Sequence, residues 1–180
     1  MEEFNFTKFK EEGYFIYNPK TNNQLLLNAQ KSFEKILKNC QNQKYNYVRV
    51  YDDYSHNINI AGIEMIFDED IIDQNIINLV QESKIINFAK KLFNSDEFVM
   101  TLSRYHVTKN FTHLGIWHRD EKPNTLNSFQ SNIYLYDETG MEIVPQSHVR
   151  NNNESEEKVL RKLPYKDLPS QTPITVKAGN

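Results

Sequence analysis

A chain of 180 residues, 38% hydrophobic and 25% charged, has the length and balance of one globular domain with a real core, which excludes a disordered chain. Its 21 basic and 24 acidic residues are scattered and sum to a net charge of −3, so no nucleic-acid-binding surface is expected. No membrane span or signal peptide is expected from the charge-broken sequence, and Cys40 is the only cysteine, so neither an internal disulfide nor a cysteine zinc site is open; a reducing, cytoplasmic setting is the expectation.

Phe4, Phe6 and Phe9 mark a short helix that turns at Gly13 into an apolar strand ending at Tyr17. Thr21 with Gln24 fits a capping box, and Leu26, Ala29, Phe33, Ile36 and Cys40 recur behind it at helical spacing. YNYVRVY, residues 45–51, alternates like a strand. Over residues 69–93 the pattern is helical again, with Ile72, Ile76, Leu79 and Val80 in one stripe and Ser83 as the cap of a second helix. After Asn94 the character changes. FVMTLSRYHV, LGIWHRD, SFQSNIYLY, MEIVP and PITVK are short, β-branched or aromatic, and separated by turn-forming residues. Helices followed by strands predict an α+β fold in a single domain, helical over about 1–94 and an antiparallel sheet or barrel over about 95–180. RNNNESEEK, residues 150–158, is expected to be a mobile surface loop.

The chemistry centres on His118 and Asp120. On a strand, residues i and i+2 share a face, so the two side chains can converge on one ion with Arg119 turned away. An imidazole and a carboxylate are two thirds of the facial triad that holds Fe(II) and leaves positions open for a cosubstrate and oxygen. Five histidines and nine aspartates in 180 residues give about a quarter of one His-x-Asp match by chance, so context must decide. An ion pair at a strand end is the other reading of the same spacing. HRDEKPN also imitates a kinase catalytic loop, but Asn124 lies one position too close to Asp120 and there is neither a Gly-rich loop nor D-F-G, which excludes a kinase.

The context is a resemblance. FKEEGYFIY, INLVQESKIINFAKKLF, SRYHV followed by GIWHRDE, and NIYLYDETGMEIVPQSHV come in the order seen in the phytanoyl-CoA dioxygenase family of Fe(II)/2-oxoglutarate oxygenases, a resemblance that covers nearly the whole chain. The last segment is similar to that family's Pro-Gly-Ser-His signature, with Gln146 in place of the glycine. The resemblance implies N-terminal helices packed on a double-stranded β-helix, with His118 and Asp120 as iron ligands. It also implies 2-oxoglutarate chelated through its keto and C1 carboxylate oxygens, O2 as co-reactant, and hydroxylation of a small metabolite with release of succinate. Ser103, Tyr105 and Tyr134 are the residues expected to face the cosubstrate, with barrel lining as the alternative.

The family's third ligand, a histidine, and the basic residue that pairs with the far carboxylate of 2-oxoglutarate would follow ITVKAGN, where the sequence ends. His148 matches the signature histidine, and His56, His106 and His113 are expected to be structural or on the surface. The late strands are therefore expected to be missing, from a fragment or a degenerate member, and the 180 residues alone to be inactive. The competing reading is a non-catalytic β-helix module that has lost its iron site and binds a ligand or partner. Substrate identity and oligomeric state are not legible in the sequence.

Overall fold

The computed structural model describes residues 4–41, 48–51, 62–66, 73–98, 104–107, 117–125, 128–162 and 166–180. They form two compact units, Pro19–Leu114 and the union of Met1–Asn18 with Gly115–Asn180. Helices and antiparallel sheets occur together, so the molecule is α+β. No helix among the described residues is long and apolar enough to cross a membrane.

In the Pro19–Leu114 unit, the stripe predicted for residues 26–40 becomes α2, Asn23–Gln41. Its cap is Asn22, one residue past the Thr21 to which the sequence points: Asn22 Oδ1 accepts the Gln24 N–H at 2.8 Å and the Leu25 N–H at 3.3 Å. Ala29, Phe33 and Ile36 bury one face of this helix, because steps of three and four residues return to the same side. That face packs on α3, Gln74–Glu82, which buries Ile76 and Leu79 and is capped by Asp73. Two polar ties fix the pair: Asn75 Nδ2 donates to Ser32 Oγ at 2.9 Å, and the Asn22 N–H to Glu82 Oε1 at 3.1 Å.

Helix α4, Ile85–Phe93, adds Phe88 and Ala89 to the core. Phe88 is 1% and Leu79 2% exposed, and burying each contributes about 2–3 kcal/mol. Ser83 is the C-cap of α3 rather than the expected cap of α4: its N–H donates to Leu79 O and its hydroxyl to Val80 O at 2.6 Å, while the N-cap of α4 is Lys84, which makes no side-chain capping bond. Among the described residues of the unit, three strands form an antiparallel sheet in the order β1-β2-β3: Val48–Tyr51, Gly62–Ile66 and Arg104–Val107. Met65 of β2 stands opposite Val48 on one side and Tyr105 on the other. The sequence reading omitted β2, although Ile63 and Met65 alternate with Glu64.

In the other unit, Asn5 opens α1, Phe6–Glu12, by accepting the Lys8 N–H at 2.8 Å. The helix ends at Gly13, whose φ of 86° lies in the left-handed region that glycine tolerates. Phe4, Phe9, Phe15 and Tyr17 then stack, mostly edge to face, but residues 14–18 form no regular strand. Strands β4, Glu138–Ile143, and β5, Thr172–Val176, pair antiparallel with an irregularity between Glu138 and Met141. β5 alternates, burying Ile174 and Val176.

Two expectations are corrected here. Residues 128–136 form no regular strand. Residues 150–158 are not a loose loop: Glu154–Val159 is a helix, α5, with Asn153 and Glu156 closing a full capping box.

Candidate metal centre

His118 and Asp120 lie in an irregular segment rather than on a strand, yet side chains alternate along it. Trp117 and Arg119 are half-buried, whereas His118 and Asp120 are exposed. The half-buried pair makes the anchoring bonds. Trp117 Nε1 donates to Lys166 O at 2.9 Å, and Trp117 O accepts the Arg161 N–H at 2.7 Å. The Arg119 guanidinium donates through Nε to Asn152 Oδ1 at 2.5 Å and through a terminal nitrogen to Ser147 O. Downstream, the Asn124 N–H reaches His148 O at 2.8 Å.

On the exposed side, His118 Nε2 and Asp120 Oδ1 stand 3.4 Å apart. Two metal bonds of about 2.1 Å to atoms at that separation would subtend about 108°, a geometry that a four- to six-coordinate ion accepts. One imidazole nitrogen and one carboxylate oxygen are donors that several divalent first-row metals accept. The side chains are 56% and 65% exposed, so this is an open edge rather than a dry pocket. The same contact becomes an ion pair when the imidazole is protonated. Among the described residues no group of three or more His, Cys, Asp or Glu is placed to hold a metal ion.

The remaining candidates are dispersed. Ser103 lies outside the described residues, as do His56 and His113. Tyr105 and His106 lie on β3, in the Pro19–Leu114 unit. Tyr134 belongs to the same unit as His118; its backbone bonds Gly179 and Asn180, and its hydroxyl donates to Met141 Sδ at 2.9 Å. Burial pushes the Tyr134 phenol up, Glu138 adds to that, and a bond with Asn132 opposes it.

His148 is committed to the fold. Its Nε2 lies 2.9 Å from Lys10 O, and since a carbonyl only accepts, that nitrogen carries the proton. Its Nδ1 is buried with no hydrogen-bond partner among the described residues. Gln146, where the resembled signature has glycine, is left-handed at φ 59°, and its N–H donates to Glu12 O at 2.8 Å. The 3-10 turn Ser147–Val149 therefore touches both α1 and the His118–Asp120 segment. Arg119 turns away from the pair as the i, i+2 spacing predicts, and its acceptors, Asn152 and the Ser147 carbonyl, are partners that no local pattern in the sequence indicates.

No protein-family model, curated protein or solved structure matches the chain.

Proposed function

We propose that the protein is an Fe(II)/2-oxoglutarate-dependent oxygenase of the phytanoyl-CoA dioxygenase type, acting on a small metabolite in the cytoplasm. Its scaffold in this reading is a double-stranded β-helix, and His118 and Asp120 are two of the iron ligands. The observation that carries the proposal is the 3.4 Å approach of His118 Nε2 to Asp120 Oδ1 while Arg119 bonds away from them. The left-handed backbone at Gln146 supports it, because the signature it resembles has glycine at that position. When bound, the iron supplies the oxidative chemistry, coupling decarboxylation of 2-oxoglutarate to hydroxylation of a C–H bond.

The chain's own contribution is to hold and orient. His118 offers an imidazole nitrogen and Asp120 a carboxylate, both accessible from solvent. Tyr134, in the same unit as His118, is the proposed cosubstrate contact. The Tyr134 phenol, like any tyrosine at neutral pH, is protonated and can donate to an anionic cosubstrate; its present acceptor, a thioether, is weak. The chemistry also requires a third protein ligand and a cation for the far carboxylate.

A Co(II) titration of the wild-type chain, His118→Ala and Asp120→Ala tests the site. Each substitution should weaken binding at least about ten-fold and abolish any succinate formed with Fe(II) and 2-oxoglutarate. Equal Co(II) binding by all three would overturn the metal reading. The exposure of the pair favours the alternative, a non-catalytic ligand- or partner-binding module; a folded wild-type chain that binds no Co(II) would decide for it.

A further inference from the structure

His118 and Asp120 are exposed on an irregular segment, so the course of the backbone between them bears directly on their separation. Trp117 ties the segment down before His118 through Lys166 and Arg161, and Asn124 ties it down after Asp120 through His148. Between the two candidate ligands the anchoring side chain is Arg119. Its acceptors are themselves fixed. Asn152 Nδ2 donates to Glu157 Oε1 on α5 at 2.7 Å, and Ser147 O belongs to a turn that His148 and Gln146 bond to α1.

We infer that Arg119 is a positioning residue for the His118–Asp120 pair. Its guanidinium is a rigid planar fork, so bonds to two separately held acceptors set the orientation of the side chain and of the peptide that carries it. Burial alternates along the segment, so Arg119, held inward, leaves His118 and Asp120 on the exposed side, where Nε2 and Oδ1 meet. The functional consequence rests on the metal reading; the positioning itself does not.

The test uses the full chain with Arg119→Ala, Arg119→Lys and Asp120→Ala. Ring carbon–proton NMR signals of His118, assigned by their loss in His118→Ala, report its contact with Asp120 without any metal. Arg119→Ala should move them toward their Asp120→Ala positions while far-ultraviolet circular dichroism stays native. It should also lower Co(II) affinity about ten- to hundred-fold, as loss of an outer partner does. Lysine, a flexible point charge, should restore only part of either signal. His118 signals in Arg119→Ala that coincide with wild type would overturn the inference, whatever Co(II) does. Co(II) binding indifferent to His118→Ala and Asp120→Ala would instead defeat the metal reading, with the ring signals still deciding the role of Arg119. If Arg119→Ala does not fold, Asn152→Ala removes one of the two acceptors and is read the same way: a partial shift supports the inference and none overturns it.

Discussion

Gly13 and His148 meet so closely that a Cβ on Gly13 would lie 2.4 Å from His148 Nδ1, and the glycine's φ of 86° disfavours any side chain. Gly13→Ala should therefore combine a left-handed penalty with overpacking and cost about 2–4 kcal/mol, read as a lower thermal midpoint. An unchanged midpoint would show that the ring moves aside freely. Gln146 presents the opposite case. At φ 59° it carries a side chain where glycine is better suited, and its N–H bond to Glu12 O needs no side chain. Gln146→Gly should thus be neutral or stabilising by up to about 1 kcal/mol, and a clear loss in a denaturant titration would contradict this. At this scale the sequence was partly readable. The i, i+2 spacing pointed to the His118–Asp120 approach even though the segment is not a strand. The acceptors of Arg119 lie 28 and 33 residues away, and no local pattern could indicate them.

Helix α5 shows why an element can be present yet misread. Six residues are too few to be stable alone, so Asn- and Glu-rich sequence there reads as loop. The signal was the Asn153-x-x-Glu156 spacing: Asn153 Oδ1 accepts the Glu156 N–H at 3.0 Å, and Glu156 Oε2 accepts the Asn153 N–H at 2.9 Å. Arg150 then grips both carboxylate oxygens, at 2.8 and 2.6 Å, over a Glu156 that is only 4% exposed. This fork holds the Glu156 carboxyl below its usual range, with the Asn153 N–H helping and burial opposing. A carboxyl whose folded value is depressed stabilises fully above its ordinary value, near 4.5, and loses that contribution as pH falls through the depressed one. Amide protection in α5 should therefore decline on acidification below about pH 4.5, and Glu156→Gln should flatten that dependence and cost about 2–3 kcal/mol at neutral pH. Exchange rates in α5 that are independent of pH after correction for intrinsic exchange would refute it. The longer helices were legible because their stripes supply most of the core. By contrast, residues 128–136 have strand composition, but no described ladder takes them up beyond the bonds of Tyr134 to Gly179 and Asn180.

Across the whole molecule, the change from helical to alternating period was enough to indicate α+β, whereas strand partners depend on contacts that no window of sequence contains. β4 pairs with β5 across an intervening turn and helix, with a register shift on the way. β3 joins β1 and β2 in the Pro19–Leu114 unit rather than the strands that follow it. The other unit is assembled from both ends of the chain, and Met1–Asn18 is bonded to it at defined points: Gln146 N–H to Glu12 O, His148 Nε2 to Lys10 O, and the His148 ring against Gly13. Deleting residues 1–18 removes all of these at once. The Gln146 amide loses its acceptor, and the Ser147–Val149 turn loses the helix that braces it. Because Ser147 O receives Arg119 and His148 O receives Asn124, the loss should pass to the His118–Asp120 segment through those two bonds. Hydrogen exchange on the shortened chain should show the Gln146 and Asn124 amides at least about ten-fold less protected, with α2 and α3, whose mutual ties lie within Pro19–Leu114, changed far less. Co(II) affinity should fall in parallel if the pair binds metal. A Gln146 amide as protected without residues 1–18 as with them would mean that the turn holds itself, and that α1 has no part in shaping the candidate site.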